Sequence, residues 1–195
     1  MPSNPPTFFF DYVDPLSYLM HLEVENVRQE SFAPPLGLRR VPLELRPPPL
    51  PLLDPDGPPW ATRWGAATVE APRIGVTLAA APQFLPWTRK AHELALLAQE
   101  RGIGDAAHRA LFEAVFVRGD DVGRVDVLVA IGERLGLPGG AVKVALDVDH
   151  FAAGVEAARR VAADAGVTCP PALAVGGRLL QGFHNHDAMR TFLLL

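Results

Sequence analysis

The sequence predicts an α/β fold in which a β-α-β unit and a β-β-α unit share one sheet and a run of helices separates them. Three observations predict it. A compact aromatic run at residues 7–12, TFFFDY, leads directly into helix-start signals and then into apolar residues at helical spacing. Residues 88–165 carry helical periodicity almost without interruption. Residues 171–194 then read strand, glycine turn, strand and helix. A chain of 195 residues, 49% hydrophobic, has the length of one domain, or of one domain with a large insertion, and enough apolar residues for a core.

The elements follow in order. TFFFDY has the length and aromatic content of a buried strand. Asp14 is a good N-cap, and Pro15 at the first helical position has its φ already set. Leu16, Leu19, Met20, Val24 and Val27 then mark one face of a helix. In LRRVPLEL, residues 38–45, Val41, Leu43 and Leu45 share a strand face, and Pro42 places that strand at an edge or a bulge. Between Ser31 and Pro86 lie 13 of the 20 prolines, so RPPPLPLLDPDGPPW is expected to be an extended surface loop rather than helix. Trp60, Trp64, Phe84 and Trp87 around it are expected to cover the surface or a subunit contact.

After Trp87 the texture changes. Ala91, Leu94, Ala95 and Ala98 define a helix stopped by Gly102, and Asp105 is expected to cap the next, with Leu111, Phe112, Val115 and Phe116 inward. Val125, Leu128, Val129 and Leu135 mark a third helix, Val142 to Leu146 a short fourth, and 149–165 a fifth ending at Gly166. Pro171–Val175 and Arg178–Gln181 flank a Gly176-Gly177 hairpin turn. Asn185 to Leu194 close the chain as a helix with Met189, Phe192 and Leu193 inward.

Composition excludes several functions. The formal charge of −4 argues against non-specific nucleic-acid or anionic-membrane binding, which needs a basic surface. No apolar run approaches the roughly 18 residues of a membrane helix. The start, MPSNPPTFFFDYVD, has no basic segment followed by a long apolar one, so no signal peptide is read there and the expected location is cytoplasmic. Cys169 is the single cysteine, which excludes an internal disulfide framework and a four-cysteine zinc site. No metal is expected: His184, His186 and Asp187 lie too close in sequence and lack an obvious third ligand.

The element order is that of a thioredoxin-like sheet with an α-helical insertion, residues 1–86 and 166–195 forming the first and 87–165 the second. FDYVDPLSYL resembles the active-site turn of the DsbA-like superfamily. VPLELRPPP, AHELALLAQERG, ALFEAVFVRGDDV, LVAIGERLGL and GVTCPPALAVGGRLLQG resemble its FrnE-like members, relatives of the 2-hydroxychromene-2-carboxylate isomerases and kappa-class glutathione transferases. The resemblance runs over nearly the whole chain. It implies chemistry at the N-terminus of the first helix, where free N–H groups and the helix dipole stabilise an anion. Oxidoreductase members carry C-x-x-C there, whereas the isomerases and transferases carry S-P-x-S, whose first serine steadies the thiolate of bound glutathione.

This chain has Asp14-Pro15-Leu16-Ser17 at those positions and departs from both patterns. With neither cysteine, a dithiol–disulfide cycle within one chain is impossible. Asp14 has two readings, a plain N-cap or a carboxylate serving the family cleft as general base or cation anchor. Ser17 is either a catalytic hydroxyl or an early-helix serine bonded to local groups. Tyr18 matches the family's aromatic after the motif. By resemblance Pro171 is the cis-proline facing the turn. The preceding residue, which offers backbone N–H and C=O to a thiol, is Pro170, and proline has no N–H. His186 and Asp187, at the start of the last helix, match the polar turn that holds the γ-glutamyl end of glutathione. Cys169 reads as a half-buried small residue or as a thiol near the cleft.

The resemblance therefore implies glutathione as cofactor, held by Asp14, Ser17, Pro170, Pro171, His186 and Asp187. It implies a small-molecule thiol or hydrophobic substrate in a cleft towards the helical insertion, and a homodimer, since relatives pair. The competing expectation is a binding module that keeps the fold and has lost the chemistry.

Overall fold

In the computed structural model the described residues are 5–31 and 36–194. The first four residues of the amino-terminal segment, and Pro34 and Pro35 of the proline-rich stretch, lie outside them. The strands are β1 (Thr7–Phe10), β2 (Arg39–Pro42), β3 (Ala172–Val175) and β4 (Arg178–Gln181). The helices are α1 (Pro15–Ser31), α2 (Pro58–Glu70), α3 (Arg89–Glu100), α4 (Gly104–Glu113), α5 (Val125–Arg134), α6 (Gly139–Asp147), α7 (Ala152–Asp164) and α8 (His186–Leu194). A 3₁₀ turn extends α2 over Ala71–Ile74, and a π turn extends α4 over Ala114–Arg118.

The strands form one sheet in the order β2-β1-β3-β4. β1 runs parallel to β2, with Phe9 opposite Val41, and antiparallel to β3, with Phe9 opposite Ala172. Pro42 is tolerated because β2 is an edge strand. Gly176 and Gly177 both have positive φ, which a two-residue hairpin between right-twisted strands requires.

Alternation along β1 splits the core. Phe8 and Phe10 face one side, where α1, α8 and the helical block supply Leu19, Val24, Leu111, Phe112 and Met189. Phe9 faces the other with Val41, Leu43 and Ala172, and α7 covers it through Ala158 and Ala162. α7, grouped with the insertion from its sequence, thus closes the second face of the sheet.

Two local expectations need correction. RPPPLPLLDPDGPPW is loop only as far as Gly57, because Pro58 and Pro59 open α2. Proline there loses nothing, since the first-turn N–H groups have no intrahelical acceptor. α2 turns Trp60 inward, buried and stacked on Trp64 at 5.3 Å, rather than leaving it on the surface. Asp105 is not the cap of its helix: Ile103 holds that position without a side-chain bond, and Asp105 lies in the first turn.

Candidate active-site turn and its surroundings

The loop between β1 and α1 is fixed from several sides. Asp14 is fully enclosed, at 0% exposure. Its Oδ2 accepts the Ser17 backbone N–H at 3.1 Å and the Ser17 hydroxyl at 2.6 Å, so it caps α1. The Ser17 hydroxyl in turn accepts the Asp11 N–H at 3.3 Å. Both capacities of that hydroxyl are thereby used within the turn, which leaves no free donor for a thiolate.

The other Asp14 oxygen faces Arg63 of α2. Arg63 Nη1 donates to Asp14 Oδ1 at 3.0 Å and to the carbonyl of Pro170 at 2.9 Å. One guanidinium nitrogen thus ties the α1 turn to the loop before β3, where the Pro170–Pro171 bond is cis. Pro171 anchors that loop by accepting the Gly182 N–H at 2.8 Å. Burial pushes the Asp14 carboxyl up to about 6, while Arg63 and the Ser17 hydrogen bond pull it down and Asp11 pushes it up. Asp14 therefore takes the cation-anchor geometry as well as the cap. Pro170, with no N–H and its carbonyl on Arg63, offers a thiol neither backbone group.

The structure brings Asp14, Ser17, Pro170 and Pro171 together and sets His186 and Asp187 apart. His186 Nε2 meets Glu30 Oε2 at 2.9 Å, and the Asp187 side chain is 95% exposed. Burial raises the Glu23 carboxyl and His186 lowers it, so His186 also borders Glu23. Glu23 lies nine residues beyond Asp14, roughly 13 Å along the helix axis. Cys169 is exposed. A cleft of about 500 Å³ runs from Val13 beside the turn to the helical block, between Pro82 and Phe84 on one side and Val115 and Arg118 on the other.

Sequence reasoning missed two groups. Arg63 sits 49 residues from its partner, inside a helix that the prolines conceal. The only signal was its place one turn after Trp60 on the inward face of α2. The second group is a buried polar cluster under the turn. His92 Nε2 meets Asp11 Oδ1 at 3.1 Å, and Asp11 Oδ2 accepts the Leu45 N–H at 2.7 Å. The Tyr12 hydroxyl and His108 Nδ1 are 2.9 Å apart. His21 packs edge-on to His108, with ring centroids 4.7 Å apart. Each histidine lies on the apolar stripe of its helix, and that placement was the readable sign.

Tyr12→Phe is expected to lower stability by about 1–2 kcal/mol, because His108 Nδ1 loses its partner in a buried cluster. Urea denaturation at neutral pH measures it; an unchanged midpoint would mean that this hydrogen bond contributes nothing.

A four-stranded sheet with this order, a helical block beside it and a cis-proline loop facing the α1 N-terminus define a thioredoxin-fold protein. The family model described as DSBA-like thioredoxin domain matches residues 7–194, and the chain belongs to that family. The uncharacterized protein YwbO of Bacillus subtilis (strain 168) is 25% identical over 185 residues, covering 92% of this chain and 90% of YwbO. Among solved structures, a probable DsbA oxidoreductase from Streptomyces coelicolor superposes with a TM-score of 0.80 at 20% identity, over 96% of this chain and 87% of that one. A 2-hydroxychromene-2-carboxylate isomerase gives 0.76 at 18%, over 97% and 91%. The cytosolic disulfide reductase DsbM from Pseudomonas aeruginosa, with glutathione, gives 0.70 at 19%, over 97% and 96%. No helix of the described residues is long and apolar enough to cross a membrane.

Proposed function

We propose that this chain is a member of the DsbA family that binds a glutathione-type thiol beside the α1 turn and acts as an isomerase- or transferase-like protein, not as a dithiol oxidoreductase. One observation carries the reading. Beside the Asp14 carboxylate, which stands where kin keep sulfur or hydroxyl, an oriented guanidinium is fixed by Asp14 and the Pro170 carbonyl. Only Nη1 of Arg63 is engaged among the described residues, and 21% of the side chain is exposed. The remaining N–H donors suit the thiolate or a carboxylate of such a ligand. The cleft at Val13 supplies an apolar wall for a second substrate. An isomerase and a glutathione-bound disulfide reductase share this fold, so the fold accommodates both an isomerase and a bound glutathione. A cytoplasmic location accords with the single exposed thiol.

A second reading, a binding module without catalysis, is favoured by the complete enclosure of Asp14 and the missing N–H at Pro170. Titration calorimetry with millimolar glutathione separates the two. The first reading expects heat of binding in the wild type and its loss in Arg63→Met. A wild type that gives neither heat nor thermal shift removes glutathione from the account.

A further inference from the structure

A second cavity, of about 540 Å³, lies between the edge strand β2 and the α3–α4 hairpin. Its size falls within the range of small-molecule sites. Leu38, Pro42, Leu96 and Ile103 give it apolar walls, and Phe10 lies at its floor.

The polar groups at its mouth suit an anion. The first turn of the ten-residue helix α4 lines the mouth with Gly104, Asp105 and Ala106. No side chain caps that helix, and its first backbone bond runs from the Ala107 N–H to the Ile103 carbonyl. The N–H groups of residues 104–106 therefore have no acceptor among the described residues, and the helix dipole makes their surroundings favourable to an anion. Arg40 stands on the opposite wall. It reaches Asp105 Oδ1 at 2.5 Å and Glu25 Oε1 at 2.7 Å, and its buried Nε has no partner among the described residues. Asp105, 69% exposed, is thus a solvent-facing carboxylate resting on this arginine.

The inner end is also polar and unsatisfied. His92 and His108 line it, both almost wholly buried. His108 Nδ1 is paired with the Tyr12 hydroxyl, while Nε2 of His108 and Nδ1 of His92 have no partner among the described residues.

We propose that this cavity is a ligand site for a small apolar or aromatic carboxylic acid. The carboxylate seats between the α4 N–H groups and Arg40, displacing the Asp105 side chain, and the apolar body lies over Phe10 and Leu96. Glu25 keeps its hold on the far edge of Arg40, so the guanidinium stays in place when Asp105 leaves.

Calorimetric titration of the full chain with 2-naphthoate, and with 2-naphthalenemethanol as its neutral counterpart, tests this. The acid is expected to bind roughly tenfold more tightly than the alcohol. Asp105→Asn, which removes the competing charge, is expected to tighten the acid and leave the alcohol unchanged. Ala95→Phe, which fills the cavity from α3, is expected to abolish binding, and Ala106→Trp at the exposed rim serves the same purpose should the first variant unfold. Arg63→Met is expected to bind the acid normally, which separates this site from the α1 turn. Equal affinity for acid and alcohol, no binding of the acid, or binding that survives both filling variants would each overturn the proposal.

Discussion

Acidification from about pH 7 to about pH 4.5 is expected to remove about 3 kcal/mol of stability through His21 alone. The ring is enclosed in the core, stacked on Phe112 at 5.3 Å, and neither of its nitrogens has a partner among the described residues. Burial pushes its pKa down to about 3, helped by Arg40, Arg109 and Arg28. The folded state therefore binds fewer protons than the unfolded chain between pH 6.5 and about 3. The contribution is whole above the ordinary histidine range and is lost as pH falls towards the folded value. His108 works in the same direction, again chiefly by burial. His21→Leu keeps the apolar contacts and removes a group that makes no hydrogen bond. It is expected to match the wild type at about pH 8 and to lose stability less steeply in acid. Denaturation midpoints at several pH values compare the slopes; parallel curves would mean that His21 is solvated and titrates normally.

The second large effect has the opposite pH dependence. Arg63→Met is expected to cost about 3 kcal/mol at about pH 8 and little at about pH 5. The wild-type Asp14 carboxyl sits at about 6, above its ordinary value of 3.8. Its contribution to stability is therefore full below the ordinary carboxylate range and is lost as pH rises through about 6. Arg63 limits that loss by pairing with the ionised form. Without it the folded-state value climbs further, so the penalty of the substitution grows with pH above about 6, where the wild-type group ionises and the variant group stays protonated. The arginine's bond to the Pro170 carbonyl is lost at any pH. Equal destabilisation at both pH values would assign the effect to packing and to that carbonyl, not to the carboxylate.

Much of the fold was legible because local chemistry and tertiary structure agree. Asp14-Pro15 reads as cap and first helical residue and is both, and Gly176-Gly177 reads as a hairpin turn and has the required φ values. Pro42 reads as an edge residue and lies on one. α2 was not legible, since its prolines look like helix breakers until their place in the first turn is known. The candidate site shows the same division. Asp14, Ser17, Pro170 and Pro171 belong to two short segments that motif spacing can flag. Arg63 belongs to neither, and an ion pair across 49 residues has no periodic signature. The histidine cluster escapes for a related reason: His21, His92 and His108 come from three helices, and only packing makes them neighbours.

The account rests on an enclosed, arginine-paired carboxylate at the position where relatives hold sulfur or hydroxyl. Carbon-detected NMR titration of the aspartate carboxyl groups, assigned by comparison with Asp14→Asn, reads that group directly. The predicted result is one aspartate with a midpoint near 6 that disappears in Asp14→Asn and moves upward in Arg63→Met. If the Asp14 signal instead titrates in the ordinary carboxylate range and ignores the arginine substitution, the carboxylate is open to water and the clamp does not exist.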